Sequence, residues 1–251
     1  INSNGSIRII YDGTSAHKNG EASEDRQYGT SQFNPDFTNN MYVGYMYSSG
    51  EAHGTGTFST IKTNVDKFYT DKLSNYISKL DMNAGFCGDR SVLNEQSGVG
   101  TGQINTYNKG YLRVEENTPT FTCENTSDYY TVASASSGNK KLSYPIGLIN
   151  VDEVVHAGHA GSIFNGNYNH QKANHSSYLI TRNPFWTMTP VGGYNVFGTV
   201  GWSALVFLID GFGYIDDRGA VDNYGLRPVI NLKAGVTITG SGTMTDPYVV
   251  A

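Results

Sequence analysis

Trp186-Thr-Met-Thr-Pro190 and Gly225-Leu-Arg-Pro-Val-Ile-Asn-Leu232 bracket the most informative part of this chain. Each bracket has the chemistry of a core. One sets a Trp close to a Pro, and the other leads from Arg227-Pro228 into the apolar series Val229, Leu232, Val236 and Ile238. Between them Tyr194, Phe197, Trp202, Phe207, Phe212 and Tyr214 alternate with Gly, Asn and Asp. Rigid aromatics lose little entropy on contact, and short polar side chains adapt their hydrogen bonds, so this is the composition of a recognition surface. A fixed frame around a permissive insert implies a binding module.

The chain's 251 residues suffice for a sizeable core, and no linker-like stretch or internal repeat divides it, so it reads as one domain over 1–251. Charged residues are 16% of the total, well below the roughly 25% of an average domain. With 30 Gly and 18 Tyr, the chain is polar without being highly charged, as extracellular loop-rich proteins are. The net charge of −5 and the lack of any Lys/Arg cluster argue against a nucleic-acid or anionic-membrane partner. No apolar run approaches a membrane span and no signal peptide is present. Because Ile1 is not a natural start, the expectation is a mature or truncated ectodomain with its leader or anchor upstream. Cys87 and Cys123 lie 36 positions apart, and an even count in such a chain fits one disulfide, the alternative being two buried thiols.

Local patterns predict an α+β protein. Ser6–Tyr11 and Met41–Tyr47 read as strands, as do short pieces at Tyr111–Val114 and Tyr129–Val132. From Ser59 to Leu80 the period changes, and Ile61, Val65, Phe68, Leu73, Tyr76, Ile77 and Leu80 share a helical face. A second helix begins at Asn150, which caps its first turn while Glu153 reaches back, and Val151, Val154 and Val155 form its buried side. Further strands are expected near 178–189, 204–209, 212–216 and 226–232, then a hairpin of Val236–Thr239 with Tyr248–Val250.

Two helices, long loops and a Trp-bearing terminal sheet ending in Gly-x-Arg resemble the C-type lectin fold in its formylglycine-generating-enzyme-like branch. Six segments resemble, more closely, a group of bacterial surface proteins that often carry prepilin-type leaders. They are Ser6–Thr14, Phe86–Arg90, Tyr144–Ile149 with Asp152-Glu153, Trp186–Pro190, Gly225–Leu232, and Gly240–Gly242 with Asp246–Tyr248. The resemblance implies display on the bacterial cell surface, as on a pilus-like fibre. In related folds the interval between the Trp and the Gly-x-Arg is the part that diversity-generating retroelements vary. Two departures limit the transfer of chemistry. The Glu-Pro-Asn or Gln-Pro-Asp loop and the Trp-Asn-Asp strand of calcium-dependent lectins are absent, and so are the enzyme's paired cysteines near the C-terminus.

The remaining constellations favour bland readings. His156, His159, His170 and His175 lack the convergent ligand set of a zinc site and read as solvent-facing loop residues. Asp210, Asp216, Asp217 and Asp222 read as turn residues, with a calcium site the alternative and no cofactor otherwise implied. No Gly-x-Ser-x-Gly elbow occurs, and the Gly98–Gly102 run lacks the Lys of a phosphate loop. Ligand contact is therefore expected from Tyr194, Asn195, Phe197, Trp202, Phe212, Tyr214, Asp216, Asp217 and Asp222, with Trp186 and Arg227 structural. By strand alternation about half the apolar residues around Val206 and Phe207 belong to the core. The expected partner is a surface protein or glycan, or other pilus subunits. A structural fibre subunit and a divergent enzyme of the formylglycine-generating type are the alternatives.

Overall fold

The computed structural model describes residues 5–93, 106–159, 177–193, 204–243 and 245–250. Before the middle of the chain its strands are β1 (Ile7–Ile10), β2 (Thr30–Gln32), β3 (Met46–Tyr47), β4 (Thr57–Phe58), β5 (Phe86–Cys87) and β6 (Thr106–Tyr107). Next come β7 (Tyr129–Tyr130), β8 (Ile146–Gly147), β9 (Phe185–Gly193), β10 (Leu205–Ile209) and β11 (Ile215–Gly219). The last are β12 (Asn223–Gly225), β13 (Val229–Leu232), β14 (Ile238–Thr239) and β15 (Val249–Val250). Three α-helices are found among the described residues: α1 (Thr60–Phe68), α2 (Lys109–Glu116) and α3 (Val151–His156). The architecture is mixed α and β, with few short helices and several small sheets.

The largest sheet runs β11-β10-β9-β12-β2, with β6 added to β9. Its centre is the predicted apolar bracket. Trp186 in β9 is fully buried, edge-on to Phe33 and Tyr224 at 5.9 and 5.1 Å, and its indole N–H donates to the Ser31 carbonyl at 2.8 Å. Burying an indole while satisfying its one donor is the condition under which Trp stabilises a core. Pro190 sits opposite Val206 where the β9–β10 register shifts, the irregular setting in which a strand tolerates a missing donor. A second sheet, β1-β13-β8, pairs Ile7–Ile10 antiparallel with Val229–Leu232 and so joins the early and late segments of the chain.

Several local expectations are overturned. All five residues of β10 are buried, because it lies between β9 and β11 and both its faces are covered. A continuous Leu-Val-Phe-Leu-Ile run is the signature of that position, and it overrides the alternation expected for a half-exposed strand. Tyr111–Val114 belongs to α2 rather than to a strand. The deciding contacts are tertiary: Gly110 and Val114 are buried, and the Arg113 guanidinium bonds Asp152 at 2.6 and 2.9 Å and pairs with Asp89 at 3.0 Å. Asn40–Val43 is a 3-10 turn, and only Met46–Tyr47 of that predicted strand pairs. The helix from Ser59 keeps α geometry only to Phe68, then passes through a π turn over Tyr69–Leu73 and a 3-10 turn over Ser74–Lys79, which leave Tyr76 and Ile77 exposed. Residues 178–184 are not strand; β9 begins at Phe185.

Other elements form as their residues dictate. Ser59 caps α1, accepting from the Lys62 amide at 3.2 Å. Asn150 and Glu153 form the reciprocal capping box at the start of α3, at 2.8 and 2.9 Å. Cys87 and Cys123 are bonded, with S–S 2.04 Å and Cα atoms 5.7 Å apart.

Candidate recognition surface

Two arginines lie beneath one short segment. Arg26 and Arg227 are both essentially fully buried, and both pair with Asp12, at 2.9 and 2.6 Å. Two guanidiniums outnumber one carboxylate, so the remaining donors must find carbonyls. Arg26 donates to the carbonyls of Glu21 (2.7 Å), Lys18 (3.3 Å), Tyr178 (3.1 Å) and Ile180 (3.2 Å). Arg227 donates to Tyr11 (2.9 Å) and Leu179 (3.4 Å), and its guanidinium lies over the Phe185 ring at 4.7 Å. Burial lowers the pKa of Arg227 to about 10, with Asp12 opposing and Arg26 reinforcing that shift. Three consecutive carbonyls, Tyr178 to Ile180, are thus held from below by charged donors, which are stronger than neutral ones.

The upper side of this segment faces solvent. Tyr178 is 51% exposed, and Arg182 is exposed with φ +64, a left-handed conformation uncommon for a residue other than glycine. Arg182 Nε donates to the Gly20 carbonyl at 3.2 Å, and its guanidinium stands 5.8 Å from the centre of the Phe212 ring. Phe212, 60% exposed, occupies the turn between β10 and β11. Asp210 shapes that turn by accepting from the amides of Phe212 and Tyr214, both at 2.8 Å. The turn approaches the segment so closely that a Cβ on Gly211 would come 2.5 Å from the Arg182 carbonyl oxygen, which requires glycine there. On its other flank, His159 Nδ1 bonds the Gly213 carbonyl at 2.5 Å. Arg182 and Phe212 therefore form an exposed guanidinium and aromatic pair, and Tyr178 is exposed at the other end of the same backbone segment, which is fixed from beneath.

The expected contact residues divide. Tyr194, Asn195, Phe197 and Trp202, together with His170 and His175, lie outside the described residues. Phe212 is exposed. Tyr214 and Asp216, expected in solvent, are each only 8% exposed, because Tyr214 leads into β11 and Asp216 lies within it, opposite Leu208. Asp216 pairs with Arg218 at 2.7 Å. Asp217 and Asp222 are half-buried. Burial raises the pKa of Asp217 to about 6, with the Asp216 charge adding and Arg218 opposing. His159, expected in solvent, is 1% exposed, whereas His156 is exposed against the edge of Phe121. Trp186 and Arg227 are fully buried.

Tyr178 and Arg182 are absent from the expected set because the sequence around them reads as a strand. The turn signal Asn183-Pro184 directly after Arg182 was the available clue. Elsewhere the sequence segments singled out above hold ion pairs. Arg90 binds the fully buried Asp128 at 2.6 and 2.8 Å, and that carboxylate also accepts from His53 Nδ1 at 2.8 Å. Arg8 joins Glu153 to Asn231 and the Gly85 carbonyl. Among the described residues no group of three or more His, Cys, Asp or Glu side chains converges as a metal site. Compared with known protein families, curated proteins and solved structures, the chain matches none.

Proposed function

We propose that this protein is a ligand-recognition module of C-type lectin-like fold, displayed on a bacterial surface, with Tyr178, Arg182 and Phe212 at the centre of its contact surface. One observation carries the reading: three side chains of the types that dominate binding energy stand exposed on backbone that is held rigidly. Tyr and Arg lead such contacts, and a preorganised backbone spares the ordering cost of association. The extracellular part of the proposal is supported by the Cys87–Cys123 bond. The lectin-like part is supported by Trp186 at the centre of the large sheet and by Gly225-Leu226-Arg227 connecting it to the strand that pairs with β1.

A structural fibre subunit is the second reading. Its support is the C-terminal hairpin β14–β15, which leaves Ile238, Tyr248 and Val249 between 42% and 61% exposed. The two readings separate on one experiment. Beads coated with the protein are presented to a glycan panel and to intact cells, beside beads carrying Tyr178→Ala, Arg182→Ala and Phe212→Ala together. Recognition predicts binding that falls at least about tenfold, the equivalent of ~1.4 kcal/mol, in the triple variant. Equal binding by both proteins would remove the site, and no binding together with ordered self-assembly would favour the fibre.

A further inference from the structure

The loop beneath Arg182 is closed by a histidine held between two acids. His17 Nδ1 lies 3.2 Å from Glu21 Oε1 and Nε2 lies 2.9 Å from Asp25 Oδ1, and its side chain is only 5% exposed. A neutral imidazole has one N–H, so it could satisfy only one of these carboxylates and would turn a lone pair toward the other. Both carboxylate contacts are favourable only in the doubly protonated ring. Nε2 also has the Ser15 hydroxyl at 3.4 Å, a longer contact that a neutral ring would accept and that also reaches Asp25. The acids are themselves fixed: Glu21 Oε2 accepts from the Lys18 amide at 2.9 Å, and Asp25 accepts from the amide and hydroxyl of Thr14 at 3.2 and 3.3 Å and from the Ser23 hydroxyl. Gly13, at φ +112, leaves room for the cluster, since a Cβ there would stand 2.9 Å from both Asp25 Oδ2 and His17 Nε2.

This loop supports the recognition surface directly. The Gly20 amide donates to the Ile180 carbonyl at 3.1 Å, and the Gly20 carbonyl accepts from Arg182 Nε. The Asn183 side chain bonds the Ser23 carbonyl at 3.3 Å, and Arg26 gathers the carbonyls of Lys18 and Glu21. We propose that His17 is a pH-sensitive clasp: its imidazolium bridges Glu21 and Asp25 to hold Gly20 against the 180–182 segment, and its deprotonation loosens Gly20 and, with it, Arg182. That Arg182 matters for recognition rests on the reading above; the clasp itself does not.

The charges around the clasp set the direction of the response. Burial opposes the charge on His17, but the hydrogen bonds and fields of Glu21 and Asp25 outweigh it, and the pKa is raised. Both acids are held below the usual carboxylate range, Glu21 chiefly by the Lys18 amide and Asp25 chiefly by the Ser23 hydroxyl, so they stay ionised across neutral pH. The other ionisable groups around them are Tyr11 beside Asp25, Arg26 beside Glu21, Asp12 paired with Arg26 and Arg227, and Arg182 over Gly20. A group whose pKa is raised by folding contributes stability that is complete below its unfolded value, near ~6.5, and lost as pH rises through the folded value. The loop is accordingly tight in mild acid and looser in mild base.

The test needs no ligand. The His17 ring is titrated by NMR from about pH 5.5 to 9, and hydrogen exchange of the Gly20 amide is followed over the same range after correction for the intrinsic rate. The clasp requires a His17 midpoint above the ~6.5 of a free histidine and Gly20 exchange that rises at least about fivefold through that midpoint. His17→Gln should exchange fast at every pH. A midpoint at or below ~6.5, or Gly20 exchange with no step, would overturn the proposal from the unsubstituted protein alone. Loss of binding in the Tyr178, Arg182 and Phe212 variant bears only on the recognition reading, so the two can fail separately.

Discussion

Arg227 and Arg182 meet the same short segment, Tyr178 to Arg182, in opposite settings: one is buried beneath it and the other is its exposed end. Arg227 is sealed beneath it, paired with Asp12 and bonded to carbonyls of Tyr11 and Leu179. Arg182 is on top, where one hydrogen bond to Gly20 and the Phe212 ring steady a guanidinium that otherwise faces water. The contrast extends to the regions they represent. Arg8, Arg26, Arg90, Arg113 and Arg227 tie distant segments through carboxylates and carbonyls, whereas the side chains of Arg182 and Phe212 lie exposed beside each other. A chain with only 17 basic residues spends several on holding loops that cannot form their own ladders. Where both partners are buried, as in Arg90–Asp128, removing one leaves the other charge unpaired, so such a site tolerates little change.

Three measurements sharpen that division. The largest effect is expected in the core of the large sheet, where Trp186→Ala should lower unfolding free energy by roughly 3–5 kcal/mol in a denaturant titration. Reducing Cys87–Cys123 comes next. The bond closes a long loop, and its loss should cost up to roughly 4 kcal/mol by the loop-entropy argument, read as a drop in melting temperature under reductant. The smallest concerns Asp217. Its pKa is raised on folding to about 6, so the folded state binds its proton more tightly than the unfolded chain does. Its contribution is therefore complete below about pH 4 and lost as pH rises toward 6. Asp217→Asn should flatten stability across that window and leave the protein somewhat more stable at neutral pH. An unchanged pH profile would mean that the carboxylate is effectively hydrated.

What could be read from the sequence was whatever local chemistry determines. The capping box at Asn150 and Glu153 needs four residues, and the cysteine pairing needed only a count and a composition. The Trp186 and Arg227 brackets were legible because buried aromatics and Arg-Pro leads carry strong positional meaning. What tertiary contact decides was not legible. Tyr111–Val114 reads as a strand piece, and tertiary contacts, the burial of Gly110 and Val114 and the meeting of Arg113 with Asp89 and Asp152, accompany its helical form. Tyr214 and Asp216 sit among glycines and acids, as exposed residues do, yet the pairing of β10 with β11 buries them. Tyr178 and Arg182 have no distinctive sequence signal of their own. Their place depends on two arginines, one nearly 50 positions after Tyr178 and the other more than 150 before it.

If a frame of buried arginines carries a separable surface, substitutions in the two regions should differ in their effect on stability. Arg227→Ala and the combined Tyr178→Ala, Arg182→Ala, Phe212→Ala variant are unfolded side by side in denaturant. The frame variant should lose roughly 3 kcal/mol or more, because removing a fully buried side chain leaves a cavity and strips the Tyr11 and Leu179 carbonyls of a donor, while each surface substitution stays within about 0.5 kcal/mol. Equal destabilisation of the two proteins, or a surface variant that fails to fold while Arg227→Ala remains stable, would contradict the account.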